Sequence, residues 1–376
     1  MDDSGLEGDT VIDALADAIE ATETVVRGST PLPAILNGGF TVWQEATSFP
    51  SIASTAWGPD GWRYTKSGAV VHDLLRSTDV PAVAASAPRV SYSLHLDVTT
   101  ADSSIGSGDY AAISTRVEGF DWAPFDQKEW TLPFWAKGSK TGPHYVFARN
   151  SGSDRSCVIA YTIDAADTWE LKSVTFPANP SSGTWEFTTG RGIEIGWCLA
   201  AGSTYHTTAG AWQTGDFLAA SDQVNELDST SNNFRIALVG PPTLGPLAAP
   251  FAPVPIALEI TRARRYLRRW GGIGSTNEVV AFGMATSTTN AVLFIPLGTP
   301  MRVVPAMSVS SAGHWALQVS GGGLIECTSV TMEPHAGIDT VAIQAVVAAG
   351  LTAGDAVRLL ADTTADARLY VVSRVP

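Results

Sequence analysis

The stretch Arg89-Val90-Ser91-Tyr92-Ser93-Leu94-His95-Leu96-Asp97 sets the texture of this chain. Val90, Tyr92, Leu94 and Leu96 alternate with Ser91, Ser93, His95 and Asp97, the period of a strand with one buried face. Similar short runs occupy residues 110–117, 129–136, 145–149, 157–163, 171–176, 192–199 and 234–239, separated by Gly, Asn, Asp, Ser and Pro. About eight to ten strands with no intervening helix predict a two-sheet antiparallel sandwich of jelly-roll type.

On either side of this region the pattern changes. Residues 9–27 read as a helix, with Ile12, Leu15, Ile19, Thr22 and Val26 at alternating spacings of three and four. That is a heptad seam, too short to be stable alone in water, so it predicts self-association, docking on another protein or packing on its own domain. Residues 240–255 are rich in proline and predict an extended stretch over a surface. A second helix is predicted over 258–270, with Ile260, Ala263, Leu267 and Trp270 on one face and Arg262, Arg264, Arg265, Arg268 and Arg269 elsewhere. Short β runs return at 279–284, 291–295, 315–319, 340–347, 356–360 and 368–372. The expected organisation is an oligomerisation or docking segment at 1–33, a jelly roll at 34–247, a Pro-rich linker and Arg-rich helix at 248–272, and a smaller β-sandwich or barrel at 273–376.

Bulk properties narrow the function. At 376 residues, 45% hydrophobic and 16% charged, the chain has material for two or three cores. A net charge of -14 disfavours nucleic acid and anionic membranes as partners. Five arginines within 262–269 then point to ion pairs with the chain's own carboxylates. Cys157, Cys198 and Cys327 lack metal or disulfide spacing and read as small buried hydrophobes, in keeping with folding in a reducing cytoplasm. Neither a basic-then-apolar leader nor an apolar run of about 18 residues occurs.

No phosphate loop, nucleophile elbow or HExxH motif is present, and 190–196 misses the dinucleotide fingerprint by one residue. His95 and Asp97 share a strand face without a third ligand. Asp109, Glu118, Asp121, Asp126 and Glu129 cluster in sequence and leave a glycosidase pair open, although such clusters usually face solvent. The expectation is a protein that is not an enzyme, with no catalytic residues. Aromatic side chains in turn-rich stretches are the remaining binding signal. Trp57, Trp62, Tyr64, Trp122, Tyr205 and Trp212 are the candidates for stacking on sugars, and Trp43, Trp135 and Trp169 are assigned to the core.

The order of several phrases resembles a jelly-roll module of tailed-phage and prophage virion proteins, which is similar to carbohydrate-binding modules. They are Asn37-Gly-Gly-Phe-Thr-Val-Trp-Gln44, an aromatic-rich turn at Gly61-Trp-Arg-Tyr64, Arg116-Val-Glu-Gly119, Phe134-Trp-Ala-Lys137 and Trp169-Glu-Leu-Lys-Ser-Val-Thr-Phe-Pro177. Pro250-Phe251, Arg264-Arg-Tyr266 and Pro300-Met-Arg-Val-Val-Pro305 follow, so the resemblance spans about residues 34–376. It implies a tail fibre, receptor-binding protein or head fibre or spike, made in the host cytoplasm and displayed on the virion. Implied partners are other virion proteins, further copies of the chain (a trimer) and host-surface polysaccharide. The alternatives are a purely structural cement or decoration protein and a glycan-degrading spike. No cofactor is expected, and Gly39, where relatives more often carry Asp or Asn, puts a structural calcium in doubt.

Overall fold

The computed structural model describes residues 34–83, 87–271, 277–362 and 366–376. The heptad seam at Ile12, Leu15, Ile19, Thr22 and Val26 lies outside them. Residues 34–376 form one compact unit built around two large cores.

The first core is a two-sheet antiparallel sandwich. One sheet runs β1 (Ser48–Phe49), β3 (Val71–Ser77), β4 (Ser93–Thr100), β12 (Asn233–Ala237), β6 (Trp130–Gly138) and β13 (Thr243–Leu244), with β9 (Glu170–Phe176) also paired to β6. The other runs β11 (Trp212–Thr214), β8 (Arg155–Ile163), β7 (Gly142–Asn150), β10 (Arg191–Ala201), β5 (Tyr110–Glu118) and β2 (Trp62–Ser67). The alternation in β4 plays out as predicted, with Leu94, Leu96 and Val98 turned into the core. The strand begins at Ser93 and not at Arg89 because its partner β3 ends at Ser77, opposite Ser93. Residues 89–92 have no ladder to join.

Aromatic rings fill the space between the sheets. Trp62 packs on Phe40 and Trp197 with centroids 4.8 and 5.5 Å away, and Phe134 meets Trp197 edge-on at 5.3 Å. Trp130 stacks on Phe176 at 4.3 Å and takes Trp122 edge-on at 5.5 Å. Each such pair adds about 0.5–1.5 kcal/mol beyond the area it removes from water. The three cysteines are free and buried.

The opening phrase folds into a loop held by one side chain. Asn37, in the left-handed region at φ 56°, accepts from the Thr41 and Val42 N–H groups and donates to the Val42 and Asp60 carbonyls. Asparagine tolerates that conformation, and its short amide satisfies the turn locally. Asn37 Oδ1 is thus fully engaged, Gly39 has no side chain, and a Cβ at Gly39 would lie 3.2 Å from Phe251 Cζ.

His72 is a buried neutral ring in the sandwich, 2.7 Å from the Tyr64 hydroxyl through Nδ1. Burial, helped by the Lys66 ammonium, pulls its pKa from 6.5 to about 3. A folded value below the unfolded one means the ring stabilises fully above pH 6.5 and less as pH falls toward 3. Between pH 6.5 and 5 this ring is expected to remove about 2 kcal/mol, at one proton per unit. Urea denaturation of His72→Gln at both pH values should show a drop smaller by that amount.

The second core is a closed barrel of β15 (Val279–Ala285), β16 (Asn290–Pro296), β20 (Thr340–Val347), β19 (Leu324–Met332), β18 (Trp315–Gln318) and β21 (Ala356–Ala361). A three-stranded sheet adjoins it, with β22 (Arg368–Val372) between β14 (Leu267–Gly271) and β17 (Ala306–Val309). Here the predicted 258–270 helix needs correction. The helix, α2, covers only Ile256–Ala263, following α1 (Gly119–Trp122), and residues from Leu267 on are strand. The ladder from Leu267–Val372 to Gly271–Arg368 supplies their backbone partners, and this tertiary pairing overrides the helical spacing. Leu267 and Trp270 therefore do not extend a helical face.

Of the arginines in this segment, Arg265 ties the two cores together. Arg265 makes a fork on Glu118 at 2.9 and 2.6 Å, and Arg262 pairs with Glu259 at 3.1 Å, as the acidic balance predicted. Arg268 donates to the Leu297 and Thr299 carbonyls. Farther along, Arg302 spans from the Thr189 carbonyl of the sandwich, at 2.6 Å, to the Ser373 and Arg374 carbonyls.

Candidate functional site

The six aromatic candidates do not share one surface. Trp62 and Tyr64 lie in β2, where their parity turns both rings into the sandwich, so Gly61-Trp-Arg-Tyr64 is the start of a strand and not an aromatic turn. The turn itself is the Gly58–Gly61 segment before it, with Gly61 at φ 85°. Trp122 is equally buried, stacked on Phe125. None of these three rings can meet a sugar, because core packing takes both faces.

Trp57 is half-buried, and the Arg374 guanidinium lies 5.1 Å from its ring. Trp212 is half-buried at the β11 edge of the sandwich, edge-on to Trp185 at 5.5 Å, with both indole N–H groups donated to backbone carbonyls. Tyr205 is half-buried over the outer face of the β2-containing sheet, edge-on to Tyr110 at 4.8 Å. Of the carboxylates at Asp109, Glu118, Asp121, Asp126 and Glu129, Glu118 and Asp121 are near neighbours, and burial together with the Glu118 charge raises the Asp121 pKa. Glu118 is consumed by Arg265 and Tyr266, and Asp109 accepts from Ser67. Among the described residues no group of three or more His, Cys, Asp or Glu is placed to hold a metal ion.

The outer face over which Tyr205 lies carries the densest polar constellation. Antiparallel register aligns Arg116 of β5, Glu194 of β10 and Arg149 of β7 in one row across the sheet. The next row holds Arg63, Ser114, Gly196 and Phe147. Glu194 is fully buried and takes Arg116 at 3.1 Å, Arg149 at 3.1 Å, Arg191 at 2.6 Å and the Ser114 hydroxyl at 2.8 Å. Burial alone would push this carboxyl up, but the guanidiniums of Arg149 and Arg116, then Arg191, hold it well below the usual carboxylate range. Burial draws Arg116 down to about 10, so it stays charged at neutral pH. Arg149 Nη1 also donates to both Asp216 oxygens, at 2.8 and 3.0 Å, and the guanidinium lies 5.5 Å from the Phe147 ring.

The loop carrying Tyr205, Phe217 and Leu218 folds over this face and buries Ala112, Tyr145, Phe147 and Val158 in a small core of its own. Beside that loop, Arg63, Tyr110 and Tyr205 remain partly exposed, and the Arg149 side chain is mostly buried. Edge-paired phenols next to fixed guanidiniums and a carboxylate suit a sugar, whose apolar ring face packs on aromatics while its hydroxyls meet charged groups.

Of the sequence candidates, Tyr205 and Trp212 reach the surface, whereas Tyr110, Trp185, Arg63, Arg149, Arg191 and Glu194, which line the same regions, were not among them. The alternation in β5 and β10 does mark these polar positions as outward. Only the register shows that three arginines from separate strands converge on one glutamate.

No family model and no curated protein matches the chain. Solved structures that are similar include the enzymatically active domain of tailspike protein 4 from bacteriophage CBA120, at 14% identity over 52% of this chain, with a TM-score of 0.27. The match spans about a fifth (21%) of that tailspike chain. A family 4 carbohydrate-binding module is similar at 13% identity over 56% of this chain and 99% of its own, with a TM-score of 0.28. The family 11 carbohydrate-binding module of a Clostridium thermocellum cellulosomal cellulase is similar at 12% identity over 54% and 97%, with a TM-score of 0.29.

Proposed function

We propose that this chain is a glycan-binding appendage protein of a bacterial virus particle, and that it binds polysaccharide without cleaving it. The partly exposed Tyr110–Tyr205 pair, set beside the ion-paired Arg149 and Asp216 and close to Arg63, carries the binding part of this reading. The ordered phrases over 34–376, with their resemblance to phage virion modules, support the particle assignment. Attachment to a host-surface polysaccharide is the role that joins the two.

The experiment is affinity electrophoresis of the full chain in gels containing bacterial surface polysaccharides. Retardation is expected, with Tyr205→Ala reducing it about tenfold, as loss of one ring contact would. The polysaccharide should keep its length after incubation. No retardation at millimolar sugar would overturn the binding role, and shortening would overturn the non-catalytic one.

A structural decoration protein is the second reading, favoured by one observation. Phe282 and Phe294 face each other across β15 and β16 on the outside of the barrel, 64% and 49% exposed, with Met284 beside them at 52%. Loss of particle stability on deletion, without loss of attachment, would select it.

A further inference from the structure

The outer face of the β2-containing sheet holds more positive charge than it balances. Arg63, Arg116, Arg149 and Arg191 gather there, while the carboxylates paired with this group are Glu194 and Asp216. The excess of two positive charges stands within a chain of net charge -14. Three of the four guanidiniums are committed: Arg116 and Arg191 to Glu194, and Arg149 to both acids.

Arg63 is different. Its Nε donates to the Thr55 carbonyl at 3.2 Å, and no carboxylate of the described residues lies within 4.0 Å of it. Its two terminal nitrogens have no hydrogen-bond partner among the described residues, although it is partly buried and faces Arg149 and Arg191. The group stands next to Tyr110 at the half-exposed end of the patch. A planar fork with both outer nitrogens free matches a carboxylate bidentately, and a second anion there would relieve the surplus charge. A neutral hydroxyl would do neither.

We propose that the sandwich takes an acidic polysaccharide bearing uronate carboxylates, with Arg63 as the carboxylate clamp and Tyr110 and Tyr205 as the neighbouring ring contacts. This rests on the glycan-binding reading above and names the substrate class of the same site. The chain's overall negative charge does not prevent it, because repulsion from exposed acids farther away than about 8 Å is screened at physiological salt.

The test is titration calorimetry of the full chain with polygalacturonate, alginate, dextran sulfate, neutral galactan and mixed-linked β-glucan, at low and high NaCl. The two uronate polymers are expected to bind, more weakly at high salt. Arg63→Gln should weaken that binding tenfold or more with an unchanged unfolding midpoint, and Arg63→Lys, which keeps the charge but loses the fork, should also weaken it. Binding of neutral polymers that ignores Arg63→Gln would overturn the acidic class and leave the glycan reading standing. Tighter binding of dextran sulfate than of either uronate would overturn the carboxylate assignment. Binding of none of the five would overturn both readings.

Discussion

Glu194→Gln is expected to lower the unfolding free energy by about 3–5 kcal/mol, the usual cost of removing one partner from a buried charge network. The substitution keeps the shape and an acceptor, so the loss is one of charge. Arg116, Arg149 and Arg191 would then face one another with only Asp216 left to offset them. Urea denaturation followed by tryptophan fluorescence reads the change directly, since Trp197 lies on the same strand. The acid limb gives a second check. A carboxyl held below its ordinary 4.5 stabilises above that pH and loses its contribution as pH falls through its folded value. Wild type should therefore weaken in strong acid, and the glutamine variant should lack this component. An unchanged midpoint at neutral pH would mean that the three arginines do not need Glu194.

Glu118→Ala is expected to separate the two cores. Glu118 ends β5 in the sandwich and accepts from Arg265 twice and from the Tyr266 hydroxyl at 2.7 Å, just where the chain turns from α2 into the barrel-side sheet. Truncation leaves Arg265 and Tyr266 without their shared acceptor, at a cost of about 3 kcal/mol. Because the interaction joins elements on either side of the junction, calorimetry should resolve two transitions in the variant where wild type shows one. A single transition displaced as a whole would show that Arg302, Arg374 and Gln44, which also bridge the junction, keep the cores cooperative without it.

The strands were legible because a buried face forces a period of two, and β4 shows it openly, whereas β5 and β10 are buried along almost their whole length on both faces. The extended Pro-rich passage and the buried cysteines followed from equally local rules. The helix over 258–270 went wrong at Leu267 because a five-residue run of Leu, Arg and Trp fits a helical face as well as a strand edge. What decides between them is β22, which lies about a hundred residues away in sequence.

The aromatic candidates failed for a related reason. Composition shows that Trp62, Tyr64 and Trp122 stand near turns, but whether a ring points inward depends on parity within a strand or on what a short helix packs against. Tyr205 and Trp212 have the same sequence character and lie at the surface.

By itself, the sequence determined that this chain is a β protein with two cores, an acidic surface and no catalytic motif, since periodicity, turn chemistry and composition act over a few residues. The tertiary structure alone decided where its chemistry gathers. Arg63, Arg116, Arg149, Arg191 and Glu194 come from β2, β5, β7 and β10, spread over more than 130 residues, and they meet only because antiparallel register sets these strands about 4.8 Å apart on one face. A carboxylate surrounded by guanidiniums, with Arg63 beside it lacking a carboxylate partner among the described residues, is a property of that register.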